Sequence, residues 1–189
     1  MLTNQKRITI LCGHYGTGKT NVAVNLALAM AKTGEKVTVA DLDIVNPYFR
    51  SADNAEELKS EGIEVILPDY ANTNVDIPAL PQDMYAVTDD KGLRVIIDVG
   101  GDDRGALALG RLTDTILAEN DYEMIAVINS ARPLTHTPED TVEVLREIEG
   151  AGLVTGEDEE LEKRYRLMIN SRKITENLAE SYGYSGNDS

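Results

Sequence analysis

Gly13-His14-Tyr15-Gly16-Thr17-Gly18-Lys19-Thr20 has the spacing G-x-x-x-x-G-K-T. Residues of these types at this spacing make a cradle for phosphate. The glycines let the backbone curl until its N–H groups point at phosphate oxygens, and a helix that starts near Lys19 adds the positive end of its dipole. In that arrangement the Lys19 ammonium reaches the β- and γ-phosphates of a nucleotide and the Thr20 hydroxyl ligates Mg²⁺. Gly13, His14, Tyr15, Gly16, Thr17, Gly18, Lys19 and Thr20 are therefore candidate binding residues, and Lys19 is a candidate catalytic one. A glycine turn that merely precedes a helix would read similarly, but the flanks favour the phosphate reading. Arg7-Ile8-Thr9-Ile10-Leu11-Cys12 is a short apolar, β-branched run, and residues 21–31 are rich in Ala, Leu, Val and Met. Strand, glycine loop and helix is the setting that such a cradle needs.

Two further carboxylate groups sit where chemistry on a phosphate would use them. Asp98 follows an apolar run and opens D-x-x-G. A carboxylate there holds Mg²⁺ directly or through a water, and Gly100 and Gly101 give a backbone able to move with a γ-phosphate. Asp41-Leu42-Asp43 ends another apolar run. Alternation along an extended chain places both carboxylates on one side. One can orient or deprotonate a water near the γ-phosphate, and the other can add metal or hydrogen-bond support. Asp41 is the catalytic candidate of this pair; Asp43 joins Thr20 and Asp98 as a candidate metal ligand.

Positioning these groups requires strands that all end on one edge. Strand-like runs lie at residues 7–12, 36–40, 63–67, 94–97, 124–128 and 166–169. Helical patterns lie at 21–31, 53–59, 107–117, 138–149 and 175–182, with Thr33-Gly34 as a stop after the first. Residues 69–83, with Pro78 and Pro81, read as an extended loop, and residues 183–189 as a frayed tail. Several strands are continuous apolar runs, as expected when both faces are covered. The expectation is a single three-layer α/β/α domain over residues 1–189 with a mostly parallel central sheet. Ligands of such sheets bind at the carboxyl ends of the strands. There stand Gly13–Thr20, Asp41 and Asp43, Asp98 to Asp102, Asn129 and Asn170.

Composition narrows the partners. The 189 residues carry 18 Lys+Arg against 33 Asp+Glu, a formal net charge of −15. So acidic a chain is a poor match for nucleic acid or anionic lipid. It has one cysteine, Cys12, and two histidines, so neither an internal disulfide nor a cysteine-rich metal site is expected. Cys12 reads as a small buried hydrophobe. With no signal-peptide pattern and no apolar run near the ~20 residues that span a bilayer, a cytoplasmic protein is the simplest reading.

Taken together, Gly13–Thr20, Asp41-Leu42-Asp43 and Asp98-Val99-Gly100-Gly101 resemble the MinD/ParA group of P-loop ATPases, within the SIMIBI class. The stretches Asp41-Leu42-Asp43-Ile44-Val45-Asn46-Pro47-Tyr48-Phe49 and Asp98-Val99-Gly100-Gly101-Asp102-Asp103 are similar to an uncharacterised branch of it. The resemblance covers residues 7–150. It implies a three-layer P-loop NTPase fold and a switch that hydrolyses ATP slowly with Mg²⁺, often as an ATP-dependent homodimer acting on a protein partner. By motif position it implies that Asp41 contacts the attacking water, Lys19 the phosphates, Thr20 the metal and Asp98 the switch loop. Asn170 resembles the group's base-reading asparagine, although an Asn in a plain turn would read the same. An amide pairs well with adenine, and N-K-x-D, the usual guanine signature of GTPases, is absent; ATP is the favoured nucleotide.

The chain departs from the group in two places. Where the group carries a second lysine that reaches the partner's nucleotide, this chain has His14, followed by Tyr15. Histidine gives less positive charge than lysine near neutral pH. Residues 156–164 are charge-rich and match nothing in the group. Arg104, Arg111 and Arg132 are weaker phosphate-stabilising candidates, and His136 reads as a helix-entry residue. Paired cysteines, the metal-handling feature of the group's nickel-insertion members, are absent. Two other readings remain open from the residues alone: a nucleotide-binding regulatory module with negligible turnover, and a small-molecule phosphotransferase. The latter would need arginines in residues 45–90, which hold only Arg50.

Overall fold

The computed structural model describes residues 6–42, 55–67, 82–100, 103–129, 131 and 165–169. Strand β1, Ile8–Cys12, is buried at every position. It leads through the glycine loop into α1, Lys19–Lys32. Ala23, Leu26, Ala27 and Met30 are buried there at helical spacing, which docks one stripe of α1 on the sheet. The helix stops as its sequence suggests: Thr33 N–H donates to Met30 O, and Gly34, at φ 86°, donates to Ala31 O at 2.9 Å.

The next elements are β2, Val37–Leu42; α2, Ala55–Ser60; β3, Glu64–Ile66; α3, Gln82–Asp89; and β4, Arg94–Val99. They are followed by α4, Asp103–Gly110; α5, Thr113–Glu119; β5, Tyr122–Ile128; and β6, Tyr165–Ile169. Among the described residues the strands form one six-stranded sheet in the order β3-β2-β4-β1-β5-β6. Every pairing is parallel. The α/β expectation is met, and so is the placement of the strand runs. β1 lies between β4 and β5, while the chain leaving β1 returns in β2, beyond β4. The crevice outside the carboxyl ends of β1 and β4 is thus the switch point at which parallel sheets bind ligands.

Alternation along the central strands feeds two apolar layers. Ile8, Ile10, Ala40, Leu42, Val95, Ile97 and Val99 face one side, packed with Met84, Val87, Leu109, Leu112 and Ile116. Leu11, Val37, Val39, Ile96, Ile125 and Val127 face the other, packed with Ala23, Leu26, Ala27 and Met30 of α1 and with Leu58 of α2. No helix among the described residues is long and apolar enough to cross a membrane.

Two sequence expectations are corrected. Helix α3 begins at Gln82, inside and just after the segment read as an extended loop. It is only 8 residues long and its one apolar pair at i, i+3 is Met84 and Val87, both buried, so it leaves little periodic trace; Pro81 just before it is a helix-start signal. The pattern over residues 107–117 is not one helix but two: α4 ends at Gly110 and α5 starts at Thr113. Leu109, Leu112 and Ile116 all reach the core, so the apolar spacing runs across the break. The helical readings at 138–149 and 175–182, the tail at 183–189 and the charged run at 156–164 lie outside the described residues.

At the opposite, amino-terminal edge of the sheet, buried Arg7 fastens three elements. Its Nε and Nη2 donate to the two carboxylate oxygens of Glu119, at the end of α5. Its Nη1 donates to the carbonyls of Val87, Asp90 and Leu93, in and after α3. Lys91 Nζ adds a 2.6 Å bond to Glu119 Oε2. The Arg7 hydrogen bond, with the neighbouring Lys91, holds the Glu119 carboxyl below its ordinary range against the opposing effect of burial.

Candidate phosphate-binding site

The loop after β1 depends on backbone freedom at three glycines. Gly13, Gly16 and Gly18 have φ of 137°, 75° and 93°, a region that residues with a Cβ rarely occupy. Gly13 has a second reason: a Cβ there would be driven into the Val127 carbonyl oxygen and would lie 3.4 Å from Thr17 Oγ1. The loop is thus pressed against β5, and Thr17 N–H closes it with a bond to His14 O at 3.3 Å. Gly18 caps α1 without a side-chain hydrogen bond, and the first turn holds no acidic residue. The first-turn N–H groups thus face the loop with neither a side-chain cap nor a carboxylate of that turn, which suits an anion.

Lys19 is only 7% exposed. Its Nζ donates to His14 O at 3.2 Å, so the ammonium is folded under the loop. Thr20 Oγ1 donates to Asp98 Oδ2 at 2.7 Å. Asp98 in turn pairs in register with Asp41 across β4 and β2 and with Leu11 across β4 and β1. Asp41 and Asp98 are 0% and 1% exposed. Alternation with Val37, Val39 and Ile96 puts both carboxylates on the α1 side. Thr20, Asp98 and Asp41 therefore converge at the carboxyl edge, beneath the loop. A hydroxyl and carboxylates are hard oxygen donors, the kind that Mg²⁺ takes when phosphate and water fill its remaining positions.

His14 is half-buried and Tyr15 is 49% exposed, both on the outer side of the loop. Asn129 follows β5 on the same edge, its Oδ1 accepting from Ala131 N–H at 3.0 Å. Arg111 is exposed. Asp43, Asn170, Arg132 and His136 lie outside the described residues, as does the Arg104 side chain. Cys12 is buried, as expected, its Sγ donating to Ile125 O at 3.7 Å. Among the described residues no group of three or more His, Cys, Asp and Glu could hold a metal. One residue escapes the sequence reading. Gly105 stands in the first turn of α4, where a Cβ would lie 2.6 Å from Gly100 O. It precedes the helical spacing of residues 107–117, so no sequence signal points to it.

Known proteins share this fold. FtsY of Thermotoga maritima, 19% identical, aligns over 96% of this chain and 59% of its own with a TM-score of 0.56. The kinase domain of the Escherichia coli tyrosine kinase ETK, 17% identical, aligns over 90% of this chain and 69% of its own with a TM-score of 0.52. At such identities the likeness is one of fold. Residues 3–85 also match the model of the ParA family, described as NUBPL iron-transfer P-loop NTPase. The chain carries the α/β fold of P-loop NTPases. Two relatives match this chain over short segments. An uncharacterized ATP-binding protein of Methanocaldococcus jannaschii is 57% identical over 37 residues, 20% of this chain and 14% of that protein. The iron-sulfur cluster carrier protein of Salmonella typhimurium is 46% identical over 50 residues, 26% of this chain and 14% of that protein. The matched segments thus span about one-seventh of each curated relative.

Proposed function

We propose that this chain binds Mg²⁺–ATP across the carboxyl edge of its sheet and hydrolyses it slowly, as a nucleotide switch of the MinD/ParA type in the cytoplasm. The observation that carries the reading is the 2.7 Å bond from Thr20 to buried Asp98, formed beneath a glycine loop that also shelters Lys19. A hydroxyl, a carboxylate and an ammonium gathered under one loop support the reading, since these are the groups that would hold a metal and a phosphate. The Methanocaldococcus relative named as ATP-binding and the ParA-family match support the choice of nucleotide.

Loop N–H groups and Lys19 neutralise phosphate charge, with Lys19 exchanging the His14 carbonyl for phosphate oxygens. Thr20 and Asp98 would hold Mg²⁺, which when bound would supply charge neutralisation at the phosphates. Asp41, beside Asp98, orients or deprotonates the attacking water, whose in-line approach gives ADP and phosphate. Asp43 would add metal support and Asn170 would read the base. The partner is a protein, since a net charge of −15 repels nucleic acid and anionic lipid. An ATP-bound homodimer, with His14 and Tyr15 facing the second copy, is the active form.

Phosphate release and particle mass, measured together with Mg²⁺–ATP and Mg²⁺–GTP, test the proposal. Slow ATP-specific release with an ATP-dependent dimer, both lost in Lys19→Ala, is the expected result. Full activity in Lys19→Ala would overturn it. Tight ATP binding by the wild type without release, even with partner present, would select the regulatory-module reading.

A further inference from the structure

Three large hydrophobic side chains stand exposed among the described residues: Tyr15 on the phosphate loop, Tyr85 on α3 and Leu117 on α5. The last two belong together. Helices α3 and α5 cover the same face of the sheet, with Met84, Val87 and Ile116 in one apolar layer. Each leads into a strand of the parallel sheet, so the two helices run in the same direction. Near their ends a single guanidinium joins them, since Arg7 donates both to the Val87 carbonyl and to the Glu119 carboxylate. Tyr85 lies two residues before Val87, and Leu117 two before Glu119. The two side chains thus stand at one level on neighbouring helices, 47% and 45% exposed.

Carboxylates flank this pair at both ends. Asp89 is four residues after Tyr85 and Asp114 three before Leu117, spacings that share one helix face. Both are exposed, as is Asp90. The neighbouring cation is already engaged: Lys91 Nζ donates to Glu119 Oε2 at 2.6 Å and to Thr88 O at 2.8 Å. Arg111 is also exposed, but it precedes α5. An apolar centre with an acidic rim is the result.

We propose that the α3/α5 face docks a helical segment of a protein partner whose apolar side chains are flanked by Lys or Arg. Exposed apolar side chains scattered singly need no partner; two at one level on joined helices, with carboxylates above and below, have a defined complement. The apolar centre supplies the anchor, and the charges fix orientation and speed encounter. This is the helix-in-groove mode of recognition. The face lies opposite α1, and the inference stands without the nucleotide reading.

The probe is a synthetic amphipathic helical peptide of leucine and lysine, with a leucine–glutamate counterpart as control. It is titrated into the isotope-labelled full chain without nucleotide. The lysine peptide is expected to shift the backbone amide resonances of α3 and α5, and to bind more tightly at low salt. The glutamate peptide is expected to leave them unmoved. Tyr85→Ser combined with Leu117→Ser should weaken binding roughly tenfold or more, as loss of a central anchor does. Asp89→Asn combined with Asp114→Asn should flatten the salt dependence. Shifts spread over the whole surface, or unweakened binding by the Tyr85/Leu117 variant, would show attraction to the net charge of −15 alone and overturn the docking site. Equal binding of both peptides, or of neither, would overturn it too. Self-association through α3 and α5 would assign the face to a second copy and equally overturn the proposal.

Discussion

Asp41 and Asp98 are register partners on adjacent parallel strands, both buried and both on the side covered by α1. Two carboxylates so placed invite different roles: Asp98 accepts from the Thr20 hydroxyl, and Asp41 stands one strand farther from the loop. Asp41→Asn should keep nucleotide affinity and slow phosphate release by about 10²- to 10⁴-fold, the range for a lost general base. Asp98→Asn should instead weaken the Mg²⁺ dependence of binding. Nucleotide titrations with and without Mg²⁺, alongside turnover, separate the two. Equal effects of both substitutions on affinity would contradict the division of labour.

Thr20→Val removes the hydroxyl that Asp98 accepts from and that the proposed metal would take. Loss of a hydrogen bond to a buried charged group costs about 1.5–3 kcal/mol. The urea midpoint of the nucleotide-free protein should fall accordingly, while Thr20→Ser, which keeps the oxygen, should restore most of both stability and Mg²⁺–ATP affinity. A Val variant with wild-type stability would mean that the 2.7 Å bond contributes little to the nucleotide-free fold.

Gly13 and Gly34 both have positive φ, yet they should respond unequally to alanine. At Gly34 nothing lies within 4 Å of a new Cβ, so only the backbone cost remains, about 1–2 kcal/mol. At Gly13 the same kind of cost is joined by collision with the Val127 carbonyl, and overpacking of this kind adds typically about 1–3 kcal/mol. Paired denaturation curves give the difference, and equal losses would show that the loop can lift off β5 at no cost.

The phosphate loop is legible in the sequence because its chemistry is local: glycines at fixed offsets, then Lys19 and Thr20. The parallel sheet is legible too, because strands such as β1 and β2, covered on both faces and buried at every position, are mostly apolar. What stays hidden depends on neighbours far along the chain. Helix α3, 8 residues long, is too short to leave a periodic trace, and the break between α4 and α5 falls within a continuous apolar spacing. Nothing near Arg7 in sequence announces Glu119, which stands 112 residues away. Gly105 carries no local signal until the fold sets Gly100 against it.

The distant Arg7–Glu119 pair sets the expected response to acid. Arg7 holds the Glu119 carboxyl below its ordinary range in the folded protein. On lowering the pH the unfolded chain therefore takes up this proton first, so stability falls with pH. The contribution is fully present above the ordinary glutamate range and disappears as pH falls through the depressed folded value. Glu119→Gln should cost roughly 3 kcal/mol at neutral pH, the low end for breaking a buried ion pair, since Arg7 keeps its bonds to the carbonyls of Val87, Asp90 and Leu93. Urea midpoints followed from neutral pH to about pH 3 should then converge for wild type and variant as the wild-type carboxylate is protonated. Parallel curves, offset by a constant amount, would show that Glu119 acts through packing and not through its charge.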